Sequence, residues 1–97
     1  MNEYIDELRG VIKRLHDCEA VYLETVPVTE AFQGKTVWQG EVEVFTVQHP
    51  KASRCYAWAY ETDTGGKRFM AVLEIPPVDS PQTAVKAAIV SDAREKA

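Results

Sequence analysis

The sequence predicts an α+β domain: a four-stranded antiparallel meander sheet with N- and C-terminal helices packed on one face, in the order α-β-β-β-β-α. Three observations carry this. Apolar residues recur every three or four positions at both ends of the chain, the period of a half-buried helix. Between about residues 20 and 75 they recur every second position, the period of a strand. Turn-forming clusters at Phe32-Gln33-Gly34-Lys35, at His49-Pro50-Lys51-Ala52-Ser53 and at Thr62-Asp63-Thr64-Gly65-Gly66 divide that middle stretch into four.

The first helix is expected over residues 3–18. Tyr4, Ile5, Leu8, Val11, Ile12 and Leu15 form one stripe, and charged residues take most of the other face. Acids lead and bases follow, as the helix dipole favours. Gly10 costs about 1 kcal/mol relative to Ala; its missing side chain would suit close packing. The first strand starts near residue 20, with Val21, Leu23 and Thr25 on one face. Pro27 has no N–H for a ladder and places this strand at a sheet edge. With Gln33-Gly34 as a two-residue loop, Leu23 meets Val44, Thr25 meets Val42 and Glu24 meets Glu43, a mildly unfavourable like-charge pair. The second strand spans roughly 36–47, and Gly40 marks an expected bulge.

The third strand, Arg54-Cys55-Tyr56-Ala57-Trp58-Ala59-Tyr60-Glu61, sets large aromatics against small residues on alternate positions. An even-numbered loop after it puts Tyr56, Trp58 and Tyr60 on the face of Phe69, Ala71, Leu73 and Ile75 in the fourth strand, about 68–75. That register separates apolar from charged residues and makes the aromatic row core. An odd loop would instead pair the row with Arg68, Met70, Val72 and Glu74. Pro76-Pro77 stops the strand. Asp79-Ser80-Pro81 then caps the last helix, whose apolar stripe is Ala84, Val85, Ala88, Ile89 and Ala93. Four strands at ~4.8 Å span the width of two helices at ~9 Å, so both helices fit one face.

The opposite face would then carry Phe45, Ala57, Ala59, Met70 and Val72, which is more apolar than a solvated sheet face requires. These five are the expected contact surface, for a homodimer or for an unknown protein or small-molecule partner. One small domain over residues 1–97 gains from hiding such surface.

Charge narrows the partners. The net charge is −4, and the 11 Lys and Arg are scattered among 15 acids, which argues against nucleic acid. The element order resembles that of double-stranded RNA-binding domains. That resemblance would imply a Lys-Lys-x-Ala-Lys pattern at the start of the last helix, where this chain has Ser80-Pro81-Gln82-Thr83-Ala84-Val85-Lys86, with one base. No apolar run reaches the ~20 residues of a membrane span, and the first residues lack the basic and apolar regions of a signal peptide. A cytoplasmic location is therefore expected, with Cys18 and Cys55 as reduced thiols.

The chemistry-bearing candidates are His16, Cys18, His49 and Cys55, the right types and number for tetrahedral zinc but at poor chelating spacing. They are the alternative to a binding domain: a zinc site or a small enzyme site. Cys18 stands near a helix C-terminus, which disfavours a thiolate nucleophile. Glu41 and Glu43 share a strand face and are expected to be solvated. No cofactor is implied.

Overall fold

A computed structural model describes residues 3–61 and 64–96, leaving aside the side chains of Phe32, Val37 and residues 91–96. Thr62 and Asp63 of the expected hairpin turn lie outside the described residues, as does the side chain of Ala93 in the expected helical stripe. The elements are α1 (Glu3–His16), β1 (Ala20–Phe32), β2 (Lys35–His49), β3 (Ala52–Glu61), β4 (Lys67–Leu73) and α2 (Pro81–Lys96). The strands lie in the order β1-β2-β3-β4, every neighbouring pair antiparallel. This is the expected α+β meander, and Pro27 sits on an edge strand.

Local chemistry fixes the ends of these elements. Asp17 takes a left-handed φ of 53° and returns its N–H to the Lys13 carbonyl at 2.9 Å, which closes α1. Gln33 and Gly34, at φ 52° and 78°, make the two-residue turn between β1 and β2. At the start of α2 the Ser80 hydroxyl accepts the Thr83 N–H at 3.2 Å, and the Thr83 hydroxyl oxygen accepts the N–H groups of Asp79 and Ser80. These reciprocal bonds satisfy the donors that a helix start leaves open.

The helices do not share a face; each covers one. Ile5, Leu8, Val11 and Ile12 of α1 pack with Phe45, Cys55, Ala57 and Ala71, and Phe69 and Leu73 join them. On the other side Val85 and Ala84 of α2 pack with Val42, Val44, Tyr56 and Trp58. α2 touches both β1 and β4, so the sheet curls around it. The physical reason is that both sheet faces are apolar. Two helices side by side would roof one face and leave the other in water, at about 25 cal/mol per Å² of apolar surface.

Both hairpin registers differ from expectation accordingly. Glu61 pairs with Lys67 across an odd, five-residue connection, so Tyr56 faces Val72, Trp58 faces Met70 and Tyr60 faces Arg68. The aromatic row is still core, with Trp58 only 3% exposed, but under α2 alone. Between β1 and β2 the register slips at Val37 and is restored at Leu23. In the intervening stretch Thr25, not Glu24, stands opposite Glu43. The two compensating bulges thereby replace a like-charge pair with a hydroxyl–carboxylate pair. They also turn Val26 and Val28 inward and leave Leu23 45% exposed.

Candidate functional site

The five residues of the expected contact surface do not share one. Phe45 and Ala57 are fully buried beneath α1. Met70 and Val72 lie half-buried on the opposite face. Ala59 lies on the α1 side, in the floor of a cleft. Small Ala57 permits the close approach of α1, not of a second sheet.

His16, Cys18, His49 and Cys55 are put to separate uses. His16 Nε2 lies 2.9 Å from the Ala71 carbonyl oxygen and donates to it, tying α1 to the edge strand. His49 Nδ1 accepts the Lys51 N–H at 3.0 Å within its own loop. Cys18 and Cys55 are buried free thiols in the core under α1. Burial, and then the neighbouring Cys18, push the Cys55 thiol up to about 12. Burial, and then Asp17 and Glu19, raise Cys18 as well. Neither thiol has the lowered pKa of a nucleophile. Among the described residues no three His, Cys, Asp or Glu side chains are grouped to hold a metal ion. Nor is any described helix long and apolar enough to cross a membrane.

A concavity lies elsewhere. A helix of 14 residues is about 21 Å long, whereas the 15-residue strand β2, even curled within a molecule 37 Å in its longest dimension, is the longer element. α1 therefore cannot roof β2 from end to end. Beyond its first turn the sheet is open, and a cleft of about 880 Å³ results. Tyr4 and Ile5 of α1 form one wall and Tyr22 and Thr25 of β1 another. Glu41 and Glu43 of β2 and Ala59 and Glu61 of β3 form the floor, and Trp38 and Tyr60 stand at the rim. Among the described residues no Lys, Arg or His lines it.

Glu43 is the unexpected residue. Glu41 is exposed as a solvated strand carboxylate should be, but Glu43 is only 5% exposed. The Thr25 hydroxyl donates to Glu43 Oε1. Having spent its proton there, Thr25 accepts from the Tyr22 hydroxyl at 2.6 Å. The chain Tyr22→Thr25→Glu43 fixes the orientation of the carboxylate, and among the described residues of the cleft it has no cationic counterpart. Tyr4 closes the other side: its hydroxyl oxygen accepts the Ala59 N–H at 3.0 Å. The Tyr4 phenol is raised above its ordinary pKa, chiefly by burial and further by Glu43, Glu41 and Glu7, against a lowering by the Ala59 N–H. The Lys67 ammonium lies 5.5 Å from the centre of the Tyr4 ring and 5.3 Å from that of Phe69. One ammonium is thus already held over aromatic faces at this end of the molecule.

A second, apolar notch of about 200 Å³ opens on the α2 side, between Val85, Ala88 and Ile89 of the helix and Trp58 and Met70 of the sheet. Trp38 and Tyr60 line it too, so the same two aromatics bound both cavities. The Trp38 indole meets Trp58 edge-on, with ring centroids 5.9 Å apart. It lies across Gly40, where a Cβ would come within 3.0 Å of the ring.

Of this site the sequence shows the paired Glu41 and Glu43 and the Trp38-x-Gly40 spacing. It hides the convergence of Tyr4, Tyr22 and Glu43, which depends on the two bulges. Comparison with family models, with curated proteins and with solved structures finds no match for this chain.

Proposed function

We propose that this protein is a small-ligand binding domain whose cleft takes a small organic cation, without catalysing its conversion. The observation that carries this is Glu43: a carboxylate 5% exposed, oriented by Thr25 and Tyr22, in a cleft to which no described residue contributes a positive side chain. A carboxylate withdrawn from water costs several kcal/mol unless a cation or a set of hydrogen bonds offsets it. One hydroxyl offsets part of that, and a ligand ammonium would supply the rest.

The walls suit the same guest. Tyr4, Tyr22, Trp38 and Tyr60 line the cleft around a carboxylate floor, and aromatic rings beside carboxylates are the chemistry that recognises ammonium groups. A binding role is also favoured by what surrounds the Thr25 hydroxyl. It is engaged with Glu43, and the nearby Ala59 N–H, a donor of the kind that stabilises an oxyanion, is taken by Tyr4.

Titration of ¹⁵N-labelled protein with methylammonium chloride, against sodium chloride at equal ionic strength, tests the reading. Saturable shifts are expected at the amides of Gln39, Gly40, Ala59 and Glu61, in the millimolar range of a fragment-sized ligand. Glu43→Gln, which keeps shape and removes charge, should weaken binding by about tenfold. Shifts that match the sodium control would refute it.

A further inference from the structure

We infer that the ligand is amphipathic: an ammonium head in the acidic cleft carrying a hydrocarbon arm that passes Trp38 and Tyr60 into the notch under α2. This rests on the reading of the cleft as a cation site and adds the second half of the ligand.

The argument is one of continuity. The cleft and the notch lie on opposite sides of the sheet, yet both are bounded by Trp38 and Tyr60. These are residues near the start of β2 and the end of β3, beyond Glu43 and Ala57, the last pair of the β2–β3 ladder. Both aromatics are half-buried, each with one part in the cleft and another in the notch. Chemistry changes across them. On one side stand Glu41, Glu43 and Glu61; on the other stand Trp58, Met70, Val85, Ala88 and Ile89, with no charged group among the described residues. A cavity of about 200 Å³ is some seven water volumes, and most of its lining is apolar, so water there finds fewer hydrogen-bonding partners than in bulk. A short alkyl or aryl arm fills it better. A free metal ion or a simple polar cation would leave it unused, and a fatty acid would meet three carboxylates at the cleft.

Trp38 makes the passage. Its indole lies against Gly40 and edge-on to Trp58, so it forms a wall common to the cleft and the notch. The absent Cβ at Gly40 is what allows the ring to lie there while the cleft beside it stays open.

The test is a chain-length series on the intact domain: methylammonium, butylammonium and hexylammonium, with hexanol and hexanoate as controls, followed by ¹⁵N amide shifts. Affinity should rise by up to about fourfold per methylene until the notch is full. The longer amines should add shifts at Met70, Ala88 and Ile89 to those in the cleft. Hexanol should bind more weakly than hexylammonium, and hexanoate more weakly still. Ala88→Leu fills the notch with a good helix former; it should abolish the gain with chain length and leave methylammonium binding intact. If all three amines bind the cleft with equal affinity, or the longer ones leave α2 unshifted, the inference falls while the cation site stands. Absence of binding by every amine defeats both.

Discussion

Replacing Gly40 with Ala isolates the fit of Trp38. A methyl group there would stand 3.0 Å from Cη2 and Cζ2 of the indole. Relaxed carbon contacts lie at about 3.5–4.0 Å, so the ring must retreat by roughly 0.5 Å. Trp58, edge-on at 5.9 Å between centroids, stands against that retreat. Two effects then oppose each other. Gly40 is not among the glycines with left-handed φ, so its backbone accepts Ala, and Ala in a strand is better than Gly by about 0.5–1 kcal/mol. Overpacking costs about 1–3 kcal/mol. The second wins, and a net loss near 1 kcal/mol lowers the Tm of a domain this size by about 4–8 °C. Removing the ring should reverse the sign: in a Trp38→Ala background, Gly40→Ala should stabilise by about 0.5–1 kcal/mol. Urea unfolding of the four proteins, followed by far-UV circular dichroism, gives the cycle, with an expected coupling of about 1–3 kcal/mol. Equal effects of Gly40→Ala in the two backgrounds would refute the steric argument.

Three other outcomes follow from the packing. The Cys55 thiol ionises near 12 when folded and near 9.0 when free. The unfolded chain therefore loses its proton first, and stability that is complete below pH 9 declines as pH rises towards 12, by roughly 4 kcal/mol in full. Urea midpoints at pH 8, 9 and 10 should show the decline beginning, with a shallower slope in Cys55→Ala; parallel slopes would contradict it. Gly10 is exposed in the middle of α1, and a Cβ there meets nothing within 4 Å, so Gly10→Ala should stabilise by about 1 kcal/mol, and a loss in thermal unfolding would show a packing role. Glu30 is 5% exposed, with one carboxylate oxygen lacking a hydrogen bond and the Lys86 ammonium at 3.7 Å. Lys86→Ala should cost about 1 kcal/mol, since its side chain is largely in water, and the cost should vanish when Glu30→Leu removes the buried charge.

Most elements were legible because their signals are local. Ser80-Pro81 caps α2, Gln33-Gly34 turns β1 into β2, and Pro27 marks an edge, each through the conformation of a few neighbouring residues. Pairing between strands was not legible. Choosing the register that segregates polar from apolar residues assumes that one face meets water. Here Ala57 and Ala71 on one face and Trp58 and Met70 on the other are all covered, so segregation was never required. The surplus of apolar residues on the supposed outer face was the sign of a second roof. The bulges at Val37 and Leu23 carry no glycine or proline, whereas Gly40, which suggested a bulge, serves to seat an indole.

That hidden register is what separates Glu43 from Glu41. Read as a pair on a strand face, the two carboxylates serve solubility, and a residue serving solubility sits in water. Glu41 does. Glu43 would too if Glu24 stood opposite, because two adjacent carboxylates both seek solvent. The slip brings Thr25 opposite instead, and its hydroxyl, backed by Tyr22, lets the carboxylate stay at 5% exposure with a fixed direction. Solubility gains nothing from this arrangement, and stability gains little, since an apolar residue at the same place would avoid the desolvation cost. A preoriented carboxylate facing an aromatic-walled opening does gain from a cation that comes and goes, because its cost is already met in the folded protein and the ligand need not order it.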